Sequence, residues 1–324
     1  MPKTSATPAI SKVEHFPIAF FAMIMGMTGL TLAWEKAVLV LGAPALASQV
    51  LLIFSACLLL TVVLVYLVKI VTRTQSVIAE FNHPIKMSFF PAFSISLLLM
   101  SIATLSVSEA LSLNLWLAGA ALHLLFTLNA LSQWIHHPKF QIAHSTPAWF
   151  IPVVGNILVP IAGVEHGFIE LSWFFFSIGL VFWIILKTLI FNRIMFHEPL
   201  PEKLLPTLFI LIAPPAVGFI SYMKLNGELD NFARILFYCA MFILLLLVSQ
   251  FARFARIKFF LSWWAYSFPL AASTIAAQLM YLATSETTFR YLSMLLLAIT
   301  TLVITMLLIR TLLGIIRNQI CVPE

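Results

Sequence analysis

The sequence of 324 residues has little charge and few cysteines. Charged residues make up 9% of it and hydrophobic residues 62%, whereas soluble domains carry about 25% charged residues. The polar surface of a water-soluble domain is therefore missing, and the composition is typical of a polytopic membrane protein. Its cysteines, Cys57, Cys239 and Cys321, are far apart and form no CxxC pair. We expect neither a disulfide framework nor a metal site.

Stretches without Asp, Glu, Lys or Arg indicate where the chain crosses the membrane. A spanning helix needs roughly 20 mostly apolar residues, and ten stretches are of about this length. They are approximately 16–34, 45–68, 87–108, 110–135, 147–164, 171–186, 204–223, 235–252, 259–285 and 291–309. We therefore predict an all-α membrane domain of ten helices over residues 16–310, with tails at 1–15 and 311–324.

The Lys and Arg residues predict how these spans are oriented. With ten spans, 14 of the 18 basic residues fall on one side of the membrane, and only Lys36, Lys224, Arg234 and Arg290 fall on the other. Loops rich in Lys and Arg remain in the cytoplasm. We therefore expect a multi-pass protein of the inner (cytoplasmic) membrane with both termini in the cytoplasm.

The prolines within the spans follow a pattern. They occupy only the odd-numbered spans, and one central proline recurs about every 60 residues at Pro91, Pro152, Pro214 and Pro269. Such a period predicts a repeated unit, here a hairpin of two helices. Proline frees a backbone carbonyl, which in a membrane needs protein or water beside it. We therefore predict five hairpins, with kinked odd helices around a central pore and straight even helices outside.

The spans lack the groups that coupling and catalysis commonly use. No carboxylate lies near the middle of a span, and His123 is the one histidine there, whereas a haem needs two facing histidines. No nucleophile–base arrangement is evident either. We therefore expect no enzyme, no cofactor and no nucleic-acid partner. The kinked half-helices offer free N–H groups and positive dipole ends, which attract anions without a buried cation.

Several segments resemble the tellurite-resistance/dicarboxylate transporter family, which includes bacterial tellurite-resistance proteins and plant slow anion channels. The similar segments lie in their family order between about residues 16 and 310. They are 21–27 with Leu32-Ala33-Trp34, Glu80-Phe81-Asn82-His83-Pro84, residues 147–156, Ala213-Pro214 and Trp264-Ala265-Tyr266-Ser267-Phe268.

The resemblance implies a homotrimer in which each protomer has its own pore. It implies ten helices arranged as five hairpins with quasi-five-fold symmetry, and an anion pathway closed by Phe268. An aromatic ring in a narrow apolar lumen can close it by blocking and dewetting. Two positions depart from the family pattern, because Ala22 and Pro269 stand where members commonly carry glycine.

Two functions remain open on this evidence. The first is a channel or channel-like transporter that passes small inorganic or organic anions through an uncharged pore. The alternative is a proton- or sodium-coupled carrier of C4-dicarboxylates or of sulfite- or tellurite-like oxyanions. The missing intramembrane carboxylate favours the channel. Besides the gate Phe268, the candidates for lining or kinking the pore are Phe21, Ala22, Gly26, Pro91, Ser94, Pro152, Asn156, Pro214, Ser267, Pro269 and Ser273.

Overall fold

The computed structural model describes residues 12–136 and 138–322, so most of the predicted N-terminal tail and the last two residues lie outside it. Within these ranges the chain is helical and contains no strand. Eight helices are long and apolar enough to cross a membrane, counted over the same ranges. This confirms the predicted all-α polytopic membrane fold. The count of ten spans and the five-fold symmetry stay predictions.

The helices follow the predicted spans closely, although several spans are divided. In chain order they are α1 (Phe21–Leu41), α2 (Ala45–Thr72), α3 (Thr74–Asn82), α4 (Pro91–Thr104), α5 (Glu109–His136), α6 (Phe150–Val154), α7 (Pro160–Gly163), α8 (Ile169–Phe196), α9 (Ala213–Asn226), α10 (Asn231–Val248), α11 (Phe251–Phe254), α12 (Ser267–Thr284) and α13 (Thr287–Ile316).

Each odd-numbered predicted span begins as a 3₁₀-helix and continues as an α-helix. The 3₁₀ segments are Ile18–Phe20, Lys86–Phe89, Pro147–Trp149, Glu202–Ile212 and Leu261–Tyr266. They lead into α1, α4, α6, α9 and α12. Pro91 and Pro214 occupy the first turn of their α-helices. Proline has no N–H to continue the hydrogen-bond ladder of the preceding segment, and the helix type changes at that point.

Burial separates the spans into two groups. The segments Ile18–Leu41, Lys86–Thr104 and Glu202–Asn226 are 72–78% buried, whereas α2, α5, α8, α10 and α13 are 22–44% buried. The exposed side chains of the second group are largely aliphatic or aromatic, for example Leu60, Leu64 and Ile184. These odd-numbered spans therefore form the interior, and the even-numbered spans present apolar surface suited to lipid.

Candidate functional site

Three cavities lie among the interior segments. The outer cavity, of about 530 Å³, is bordered by Gly29, Lys36 and Lys224. The inner cavity, of about 280 Å³, is bordered by Ala22 and Lys203. A middle cavity of about 60 Å³ lies against the broken segment Pro147–Gly163. The middle cavity shares lining residues with each of the other two, so the three cavities are neighbours and are called the path below.

Phe268 connects these cavities. It lines all three of them, and among the described residues it alone lines both the outer and the inner cavity. Its side chain is half-buried, whereas Ser267 and Pro269 on either side of it are buried. The ring belongs to the first turn of α12, directly after the 3₁₀ segment Leu261–Tyr266. It therefore stands where the wide parts of the path meet.

The backbone that carries Phe268 is held firmly from two sides. The Ser267 hydroxyl donates a hydrogen bond of 2.6 Å to the Trp264 carbonyl oxygen. Trp264 is buried, and its Nε1–H donates to Thr311 Oγ1 at 2.9 Å. On α1, a Cβ atom added to Gly29 would lie 3.4 Å from Phe268 Cδ2. The backbone before Phe268 is therefore held by hydrogen bonds, whereas the ring borders the cavities.

The middle cavity has an apolar lining. Its walls are Met25, Ile95, Phe150, Ile151, Val154, Gly155, Ile157, Leu158, Ile210, Ala213, Pro214, Val217 and Phe268. No side chain in this set is charged or polar. Apolar constrictions of this kind are wetted poorly, and this one offers no charged side chain to an ion.

The outer cavity carries charges of both signs. Lys224 forms an ion pair with Glu165, and Ser106 donates a hydrogen bond of 3.4 Å to Glu35 Oε1. Lys36 and His166 also line this cavity. Lys224 is paired with Glu165. Lys36 is the other lysine of this cavity, and it forms no ion pair with any of the described residues.

The inner cavity is bordered by a buried ion pair. Lys69 Nζ donates to Glu80 Oε2 at 2.7 Å, and the Ile18 N–H donates to Glu80 Oε1 at 2.8 Å. The Glu80 carboxylate thereby joins α2, α3 and the start of the first span. Since Lys69 neutralises Glu80, the lining residue Lys203 contributes a positive charge to this mouth.

The predicted site residues fall into two groups. Phe268, Ala22, Pro214 and Pro269 line the path: Ala22 and Pro269 border the inner cavity, and Pro214 borders the middle cavity. The other candidates line none of the three cavities. They are Phe21, Gly26, Pro91, Ser94, Pro152, Asn156, Ser267 and Ser273.

The polar candidates are buried and form hydrogen bonds between or within helices. Ser94 Oγ lies 2.9 Å from His123 Nδ1 and 2.8 Å from the Pro91 carbonyl oxygen, to which it donates. Asn156 Nδ2 donates to Thr127 Oγ1 at 2.9 Å, and Ser273 Oγ donates to the Pro269 carbonyl oxygen at 2.9 Å. Ser94 and Asn156 therefore join interior segments to α5, and Ser273 bonds within α12.

The remaining candidates also serve packing. Phe21 is buried with its ring 5.1 Å from that of Phe93. The Pro152 carbonyl accepts a hydrogen bond of 2.7 Å from Thr127 Oγ1, which ties the broken segment to α5. Gly26 lies against Ser267 at the contact of α1 with α12.

Several path-lining residues are apolar and escaped the sequence analysis. Met25 and Ile151 border both the middle and inner cavities, and Val217 borders both the middle and outer cavities. Each lies within three residues of Gly26, Pro152 or Pro214. Proximity to the kink residues is the sequence signal that could have indicated them.

The fold defines a polytopic α-helical membrane protein with cavities among its interior segments. The family model described as voltage-dependent anion channel matches residues 15–312, and the chain belongs to this family. This membership confirms the family resemblance seen in the sequence.

Similar proteins come from plants, bacteria and archaea. The S-type anion channel SLAH3 of Arabidopsis thaliana is 29% identical over 92% of this chain and 48% of its own length. The tellurite resistance protein TehA homolog of Haemophilus influenzae is 25% identical over 85% of this chain and 84% of its own length. An uncharacterized transporter of Methanocaldococcus jannaschii is 26% identical over 84% of this chain and 86% of its own. The chain spans about half the length of the first-ranked plant relatives.

Proposed function

We propose that this protein is an anion channel in which small anions cross through the outer, middle and inner cavities, and that the Phe268 ring closes the path. The observation that carries the proposal is the position of Phe268 as a lining residue of all three cavities. The S-type anion channels among the relatives support the choice of anions as the transported species.

The charge at the inner mouth supports this direction of selectivity. Lys203 lines the inner mouth, where its positive charge raises the local concentration of anions. Ala213 and Pro269 border the inner cavity where the 3₁₀ segments continue into α9 and α12. The Ala213 N–H donates to the Ile210 carbonyl oxygen and the Ser267 N–H to the Trp264 carbonyl oxygen, so these N–H groups are not available to an anion.

The ring is proposed to act as a plug that leaves the path by rotation of its side chain. With the ring in place, the outer and inner cavities meet only at an apolar contact, which neither water nor an ion crosses readily. The hydrogen-bonded backbone around Ser267 remains still while the ring moves. A smaller side chain at this position is therefore expected to leave the cavities joined.

The test is the chloride conductance of Phe268→Ala and Phe268→Leu in planar bilayers. We expect the alanine variant to conduct about tenfold more than the native protein or better, and the leucine variant to lie between them. Phe182→Ala is the matched control, because Phe182 is a half-buried phenylalanine of α8 that lines none of the cavities. An unchanged conductance in a well-folded Phe268→Ala protein would exclude the gating role.

The same preparation separates the channel from the coupled carrier. Under a chloride gradient, a channel gives a reversal potential that follows the chloride gradient alone. We expect no displacement when a pH or sodium gradient is added. A reversal potential that follows pH or sodium would favour the carrier of C4-dicarboxylates or oxyanions.

The assembly and orientation of the protein complete the proposal. We propose a homotrimer in the cytoplasmic membrane with both termini in the cytoplasm. The orientation is supported by the unequal distribution of Lys and Arg, and the trimer by the family resemblance. Light scattering of the purified protein measures the number of protomers. Labelling of single cysteines introduced at Glu228 and Arg256 reports the side on which each loop lies.

A further inference from the structure

We propose that a fourth cavity, on the face predicted to be cytoplasmic, binds a phosphate-bearing anion such as the headgroup of an anionic phospholipid. This C-terminal cavity, of about 670 Å³, lies between α3, the end of α13 and the residues that follow α13. It is separate from the proposed ion path, although the two are neighbours.

The charge balance of the C-terminal cavity favours an anion. Of its acidic lining residues, Glu80 is neutralised by Lys69 at 2.7 Å, and Glu14 lies 3.6 Å from Arg73 Nε. Arg310 and Arg317 line the cavity, and neither guanidinium has a hydrogen-bond or ion-pair partner within the described ranges. The cavity therefore presents two uncompensated guanidinium groups.

The two arginines are placed to act together. Arg310 lies in the last two turns of α13 and Arg317 directly follows its last residue, and both line the C-terminal cavity. Both side chains belong to exposed residues, and each guanidinium offers a fork of N–H donors that matches two phosphate oxygens. This geometry favours phosphate over a compact halide ion.

The remaining wall suits a lipid. Phe259, Leu313, Ile320 and Val322 supply apolar surface beside the basic groups. Basic pockets between membrane helices at the cytoplasmic side bind phospholipid headgroups. The headgroup of an anionic phospholipid would contact the arginines while its acyl chains contact the apolar residues. Free phosphate would contact only the arginines.

The C-terminal cavity shares part of its wall with the inner cavity. Pro17, Glu80, Phe260 and Leu261 line both the C-terminal cavity and the inner cavity. Glu80 also accepts the hydrogen bond from the Ile18 N–H at the start of the first span. An occupant of the C-terminal cavity would therefore lie one side chain away from the inner mouth.

The test is native mass spectrometry of the purified full chain with added phosphatidylglycerol or phosphatidylcholine, and thermal unfolding with added inorganic phosphate. We expect R310Q/R317Q to retain about tenfold less phosphatidylglycerol than the native protein, or to lose the stabilisation by phosphate. The matched control R253Q/R256Q removes two exposed arginines of the same predicted face that lie outside the cavity. It is expected to behave as the native protein does.

The two probes distinguish the sources of the phosphate group. Loss of phosphatidylglycerol alone assigns the site to a lipid headgroup, and loss of the phosphate effect assigns it to free phosphate. Equal binding of both probes by R310Q/R317Q and R253Q/R256Q overturns the site. If the glutamine variant does not fold, R310K/R317K keeps the charge but loses the forked donors, and undiminished binding by that variant overturns the site as well.

Discussion

Gly26 of α1 and Ser267 of α12 are in such close contact that no side chain fits between them. A Cβ atom added to Gly26 would lie 2.1 Å from Ser267 Oγ and 2.5 Å from Ser267 Cβ. Ser267 directly precedes Phe268, so this contact sets the distance between the first span and the helix that carries the proposed gate. Glycine is needed here for close approach of the helices.

Gly26→Ala is expected to destabilise the protein and shift the start of α12. The added methyl group meets the Ser267 Cβ atom, which cannot rotate away, so backbone movement is required. Overpacking of this kind costs about 1–3 kcal/mol. Thermal unfolding in detergent, followed by size-exclusion chromatography, measures the loss. Because Phe268 moves with Ser267, the chloride conductance is expected to change as well.

Gly218→Ala in α9 is the control for the alanine substitution itself. There an added Cβ would find its nearest neighbours at 3.7–3.9 Å, which is ordinary contact distance. Alanine is preferred over glycine within a helix by about 1 kcal/mol, so this variant should be as stable as the native protein or more so. Equal melting temperatures for the two variants would refute the steric account of Gly26.

Glu80→Gln is expected to destabilise the inner end of the bundle strongly. The change leaves Lys69, whose side chain is 3% exposed, without a counter-charge. Removing one partner of a buried ion pair costs about 3–5 kcal/mol. Thermal unfolding measures the effect, and Lys69→Met in the Glu80→Gln background should restore most of the loss because it removes the stranded charge.

Glu165→Gln provides the comparison for Glu80→Gln. Glu165 pairs with Lys224 at the outer cavity, but both side chains are at least 40% exposed. Exposed pairs contribute about 0–1 kcal/mol, so the melting temperature should hardly move. If the two glutamine variants lose equal stability, the Lys69–Glu80 pair does not fasten the first span as argued.

The sequence predicted which segments form the interior, because proline marks the spans whose backbone needs partners within the protein. The distinction between Phe268 at the path and Asn156 in a helix contact could not be read from helical periodicity. An α-helix turns 100° per residue and a 3₁₀-helix turns about 120°. The 3₁₀ segments, above all Glu202–Ile212 with 11 residues, therefore change which side chains face inward beyond them.

The apolar middle cavity predicts that anions are selected by the cost of dehydration. Without a charged or polar lining side chain, the constriction offers little in exchange for lost water. Weakly hydrated anions such as nitrate and iodide should therefore permeate better than chloride, and sulfate worst. Reversal potentials of Phe268→Ala in bi-ionic solutions measure the permeability ratios. A sequence in which sulfate exceeds chloride would contradict the dehydration mechanism.

Val217→Thr in the Phe268→Ala background is expected to lower the preference for nitrate over chloride. Val217 borders the middle and outer cavities, and threonine has nearly the same shape but adds a hydroxyl that can replace one lost water contact. One such hydrogen bond is worth about 0.5–1.5 kcal/mol, so the permeability ratio should fall by roughly two- to tenfold. Val248→Thr, at a lipid-facing position that is 54% exposed, controls for the substitution. Equal ratios in the two threonine variants would show that anions do not lose their water beside Val217.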